Sequence, residues 1–166
     1  IASMGRFEYA LILVMLVALV TNLGLNVALV QRREADDLDF DSSFWLSLAV
    51  GVVLCAAVLL AAPGLGALLG GEAPGEVERA LRVQALILPS AAVSGIFRAR
   101  LQRELRFGAI ASAELASVLT FGLYVVPLVF VRPQWGVWIP LTGSVLREFG
   151  LLAGMWRAAR WSPRCR

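Results

Sequence analysis

Apolar residues fall into five long blocks along the chain, at 7–30, 44–69, 80–97, 107–131 and 135–156. A helix rises about 1.5 Å per residue, so about 20 residues cross the roughly 30 Å hydrocarbon core of a bilayer. Every block meets that length, the third only just. The pattern predicts an all-α fold, a polytopic transmembrane helix bundle of about five spans. Residues between the blocks are polar or turn-forming. The stretch 32–43 carries Glu34, Asp36, Asp37, Asp39 and Asp41 and reads as a loop outside lipid. Gly70-Gly71-Glu72-Ala73-Pro74-Gly75 and Arg132-Pro133-Gln134 mark two further turns. Pro63, Pro89, Pro127 and Pro140 lie within or near span ends, where proline kinks a membrane helix and frees a backbone carbonyl.

Composition agrees with a lipid environment. Hydrophobic residues make up 59% of the 166 positions and charged residues 16%, with a mean hydropathy of +0.77. Soluble domains run at about 45–50% apolar and about 25% charged, so one buried core cannot absorb this excess. The chain has no histidine, which removes histidine acid–base chemistry, Ser-His-Asp nucleophiles and most zinc sites. Cys55 sits in an apolar block and Cys165 in a basic tail, so neither a disulfide nor a metal site is expected, and no cofactor is implied. All fifteen basic residues are arginine, and the net charge is +3. In a soluble protein that balance would suggest nucleic acid. Here the lysine-rich polar face such binding needs is missing, and cytoplasmic arginines of a membrane protein account for the charge.

Lysine and arginine are retained on the cytoplasmic side of a membrane, so the linkers set an orientation. With alternating spans one side holds Arg32, Arg33, Arg98, Arg100, Arg103, Arg106, Arg157, Arg160, Arg164 and Arg166, and the other holds Arg6, Arg79, Arg82 and Arg132. The first residue is then expected outside and the last inside. An outside start with no cleavable signal, on a chain that opens with Ile1, suggests a fragment that lacks one upstream span. Six spans with both ends inside would be the natural unit.

Charge at membrane depth is costly, so the exceptions carry information. Asn22 and Asn26 are four residues apart and share a helix face. Glu114 in the fourth block and Arg147 beside Glu148 in the fifth lie roughly 10–14 Å from the arginine-rich side, and Asn22 falls in the same layer. Two readings stand side by side. One is a polar cavity open to the cytoplasm, with Arg147 as the cation for an anionic headgroup and Glu114 or Glu148 holding it, since arginine makes bidentate bonds to phosphate. The other is a structural ion pair between Glu114 and Arg147, with asparagines bridging helices. Arg98, Arg100, Arg103 and Arg106 form the densest charge cluster, either a topology signal on lipid headgroups or a guide for an anionic lipid-linked substrate.

Four strings resemble a known family. They are Gly24-Leu25-Asn26-Val27-Ala28-Leu29-Val30-Gln31-Arg32-Arg33, Phe44-Trp45-Leu46-Ser47-Leu48-Ala49-Val50-Gly51, Leu101-Gln102-Arg103-Glu104-Leu105-Arg106-Phe107 and Trp135-Gly136-Val137-Trp138. Their order and spacing are similar to the polysaccharide-transporter branch of the MOP flippase superfamily, the Wzx-type oligosaccharide flippases, from the second to the sixth helix of the first lobe. The resemblance implies twelve to fourteen helices in two lobes around a cavity, in the bacterial inner membrane. Such a protein moves undecaprenyl-diphosphate-linked oligosaccharide between leaflets by alternating access and is not an enzyme. This chain would then be part of the N-terminal lobe, with a missing first helix and a second lobe as partners. Two positions depart from the family pattern: Gly5-Arg6-Phe7-Glu8-Tyr9-Ala10 replaces a Gly-Pro-x-x-Tyr/Phe-Gly string, and Asn22 stands where an acid is common. Rival readings are a non-transporting membrane scaffold or inactive remnant, and an integral-membrane glycosyl or acyl transferase. The last would show a catalytic acid pair or a histidine at an interface, and the sequence has neither.

Overall fold

The computed structural model describes residues 37–69 and 74–160. The first apolar block, with Asn22 and Asn26, lies outside the described residues. Five helices follow in chain order: α1 at Asp37–Leu69, α2 at Pro74–Ala85, α3 at Ile87–Arg103, α4 at Phe107–Val131 and α5 at Trp138–Ala159. A single turn of 3-10 helix at Pro133–Trp135 joins α4 to α5. The described residues contain no strand.

Three stretches, Phe40–Leu68, Pro74–Arg103 and Phe107–Val131, are long and apolar enough to cross a bilayer. This is a multi-pass membrane protein. Helix α5 has 22 residues, about 33 Å of helix, which is also spanning length. Arg147 and Glu148 at its middle keep it from the apolar composition of the other three.

Two boundaries differ from the sequence expectation. The acidic stretch read as a loop to residue 43 is helical from Asp37 onward. Acids are favoured at a helix N-terminus, where unpaired amides carry partial positive charge, so a run of aspartates there extends the helix. The third span, expected as a minimal one over 80–97, is a rod from Pro74 to Arg103 in which α2 and α3 are separated only at Leu86. Pro74 starts it, where a missing amide hydrogen costs nothing. The interruption has a cause in Pro89, which cannot bond the carbonyl of Ala85 and whose ring crowds it. Locally the Leu86 amide turns to the Val83 carbonyl at 3.3 Å.

Packing arranges the helices in a row: α1, then the α2–α3 rod, then α5, then α4. The rod is the centre of the assembly, with 72% of its most apolar stretch buried, against 6% for α4. Leu81, Leu88 and Leu141 close one cluster with Val58 and Ala62 of α1. Toward the other end Val93, Phe97 and Leu101 meet Ile110 and Ala113 of α4 and Leu151 and Met155 of α5. Small residues set the α4–α5 distance. A Cβ on Gly143 would stand 2.8 Å from Val125 Cγ2, and one on Gly154 would stand 3.1 Å from the Cβ of Ala113.

The N-terminus of α1, the C-termini of α3 and α5 and the N-terminus of α4 share one end of the row, called here the arginine end. Between α3 and α4 the chain reverses through Glu104, Leu105 and Arg106. The Arg106 amide donates to Leu101 O at 2.9 Å and the Leu105 amide to Gln102 O at 3.0 Å, a Schellman closure. Leu105 takes the left-handed conformation, φ 54°, that glycine usually supplies there.

Candidate functional site

Polar side chains at membrane depth come together where α3, α4 and α5 converge. Counted from the arginine end, Arg98 lies five residues up α3, Ser94 nine up α3, Glu114 seven up α4 and Glu148 eleven up α5. These correspond to depths of about 8, 14, 10 and 16 Å. An Arg98 Nη2–Glu114 Oε1 ion pair ties α3 to α4. Ser94 Oγ donates to Glu148 Oε1 at 3.3 Å and ties α3 to α5. Arg98 and Arg147 both act on the charge of Glu148. Arg98 and two carboxylates are thus held in contacts that join three helices, and Arg147 stands exposed beside Glu148.

The sequence reading that paired Glu114 with Arg147 is corrected by this geometry. Among the described residues the ion-pair partner of Glu114 is Arg98, one of the four arginines assigned to headgroups. The reason is the row: α3 and α4 meet close to their shared turn, where Arg98 reaches Glu114, whereas Arg147 sits on an exposed face of α5. The Arg98 and Glu114 side chains keep 43% and 44% exposure, so the pair opens onto a free surface.

The remaining arginines of the cluster fold back on their own turn. Arg100 Nε lies 3.3 Å from Glu104 Oε1, and Arg106 Nη1 lies 3.4 Å from Glu104 Oε2. Arg100 and Arg103 both stand over the Phe40 ring, 5.5 and 5.6 Å from its centroid.

A second polar contact was missed in the sequence. Gln84, only 1% exposed, donates from Nε2 to Ser144 Oγ at 2.9 Å, and the Ser144 hydroxyl in turn donates to Leu141 O at 2.7 Å. On α4, Tyr124 Oη lies 3.0 Å from Thr142 Oγ1 of α5. The criterion that singled out Asn22, an amide inside an apolar block, applies equally to Gln84. Helix α5 therefore carries polar anchors along its length: Thr142, Ser144 and Glu148.

The sequence profile described as "Polysaccharide biosynthesis protein" matches residues 2–166, nearly the whole chain. The chain belongs to the polysaccharide biosynthesis protein family. Among this family member's relatives is the lipopolysaccharide biosynthesis protein WzxC of Escherichia coli (strain K12), 27% identical over 115 residues, which cover 69% of this chain and 23% of the relative. Another is the teichuronic acid biosynthesis protein TuaB of Bacillus subtilis (strain 168), 26% identical over 146 residues, 87% of this chain and 29% of the relative. The resemblance to the Wzx-type branch drawn from the four sequence strings is borne out. The family member spans less than a third of the length of either relative. No solved structure matches it. Its role lies in polysaccharide biosynthesis, as an all-α membrane protein.

Proposed function

We propose that this chain is part of the N-terminal lobe of a flippase, which moves an undecaprenyl-diphosphate-linked oligosaccharide from the cytoplasmic to the outer leaflet of the bacterial inner membrane. In this reading it is a translocator and not an enzyme, and the arginine end faces the cytoplasm. Partners are the lipid-linked oligosaccharide, the bilayer, a first helix and a second lobe. The observation that carries the reading is Arg147, exposed near the middle of a membrane-length helix beside Glu148. A charge at that depth normally faces a water-filled path or a partner. Glu148, held by Ser94, fixes one side of it, and a planar guanidinium suits the paired oxygens of a diphosphate. Arg100, Arg103 and Arg106 would meet the headgroup at the membrane surface. Asn22 and Asn26 belong to the same proposed path.

The test is translocation of a labelled lipid-linked oligosaccharide by vesicles containing the full-length protein. Arg147→Ala should slow it roughly ten- to hundredfold, the range set by losing about 1.5–3 kcal/mol of charged hydrogen bonding. Arg147→Lys keeps the charge, loses the fork and should fall between. Transport by the alanine variant at the parent rate would reject the substrate role of Arg147. A second reading, a non-transporting scaffold, is favoured by the Arg98–Glu114 tie alone, and it requires that Arg147→Ala alter only protein abundance.

A further inference from the structure

Outside the polar site, the arginine end of the row contains an apolar groove of 420 Å³ between α1, α3 and α5, lined by Phe44, Val93, Phe97, Phe149, Leu152 and Trp156 together with Ala153. Its rings are fixed: Phe44 packs edge-on to Phe97, with centroids 6.0 Å apart. Val93 and Phe149 each lie ten residues from the arginine end of their helices, about 15 Å, while Trp156 lies three residues from it. The groove thus runs from the membrane surface to about half the hydrocarbon thickness, the depth of one leaflet. On α5 the lining residues Phe149, Ala153 and Trp156 form one stripe, Arg157 follows Trp156 directly, and Arg160 is the first residue past the helix, in a left-handed conformation (φ 50°). Arg157 and Arg160 are both exposed, and neither makes an ion pair with a described residue. An apolar slot one leaflet deep, ending in two exposed arginines, is complementary to a single amphiphile whose chain lies inward and whose anionic headgroup lies at the surface.

We propose that this groove binds one acyl chain of an anionic phospholipid, with the phosphate held by Arg157 and Arg160. The site is separate from the Arg98, Glu114, Arg147 and Glu148 cluster and does not depend on what the protein transports. Each arginine near the headgroup should raise occupancy by about fivefold over a zwitterionic lipid.

The experiment reconstitutes the full chain in phosphatidylcholine vesicles containing either phosphatidylglycerol or phosphatidylcholine with a diazirine at the acyl terminus, followed by photolysis and peptide mapping. Phosphatidylglycerol should label Val93, Phe149 and Leu152, at the inner end of the groove, several-fold more than phosphatidylcholine does. Ala153→Trp fills the slot and should abolish that label while the lipid-facing Leu119 and Leu123 of α4 remain labelled, which reports that the variant is folded. The double substitution Arg157→Ala/Arg160→Ala should bring the two lipids to equal labelling. Equal labelling in the unmodified chain would overturn the proposal, since the contact would be ordinary surrounding lipid. So would an unlabelled groove beside a labelled α4, which would mean that protein covers it. Displacement by a polyprenyl phosphate at concentrations where unlabelled phosphatidylglycerol has no effect would reassign the groove to an isoprenoid chain and overturn the phospholipid.

Discussion

Gly51→Leu should push α1 away from the central rod and remove most of the folded protein from the membrane. A Cβ at this position would stand 2.9 Å from Pro89 Cα, 3.0 Å from Ala92 Cβ and 3.1 Å from Leu88 O. Two of these three neighbours are backbone atoms, so no side-chain rotation relieves the clash. Overpacking a core usually costs about 1–3 kcal/mol, and a backbone obstacle puts leucine at or beyond the top of that range. Thermal unfolding in mild detergent, followed by size-exclusion chromatography, measures the effect. Gly122→Leu is the control, since nothing lies within 4 Å of a Cβ there. Equal melting of the two variants would show that α1 does not seat on the rod at Gly51.

Arg98→Ala is expected to be the most damaging change in the polar cluster, and more damaging than loss of its partner. It strands Glu114 at a depth where an unpaired charge costs about 2.5–3.5 kcal/mol on insertion scales, and it removes a positive neighbour of Glu148 as well. Glu114 keeps 44% exposure, so the expected loss is nearer about 1–2 kcal/mol. Glu114→Gln should cost less, because the long arginine stem lets the freed guanidinium move toward the membrane surface. Combining Arg98→Ala with Glu114→Gln should therefore recover part of the stability lost in the single arginine variant. Detergent melting temperatures of the three variants provide the cycle. Additive losses would show that the two side chains do not act on each other.

Much of this architecture was legible because lipid imposes a coarse rule on composition. Apolar stretches of the right length announced helices at 44–69 and 107–131, where long helices stand. The rule fails where a different force sets the boundary. Acidic residues near Asp41 repel lipid yet suit a helix N-terminus, so α1 starts earlier than hydropathy suggests. The charged turns of α2 around Glu78 and Arg82, which pair at 2.6 Å, hide a helix that extends the third span. Within the candidate site, the residue types and their common depth were readable, because distance along a helix converts directly to depth. Partner choice was not. Whether Glu114 meets Arg98 or Arg147 depends on which helices touch at that level: α5 packs between α3 and α4 over most of their length, yet near the shared turn α3 and α4 meet directly. Gln84 was passed over because a single amide barely changes the hydropathy of its block.

The row has a consequence for biogenesis. Helix α4 leaves the translocation machinery before α5, yet its main neighbour is α5, and it meets α3 only near their shared turn. Its outward face, with Leu115, Leu119, Leu123 and Phe130, is apolar enough to stand in lipid without a companion. Helix α5, with Arg147 and Glu148, is not, and needs the hydroxyls and charges of α3 and α4 as it arrives. Nascent chains arrested just after Val131 and after Arg160 should therefore differ in how readily α3 and α4 crosslink away from their turn. Helix α5 is the wedge that turns a loose hairpin into a fixed angle, so the geometry of the polar cluster is completed only when synthesis has passed Ala159.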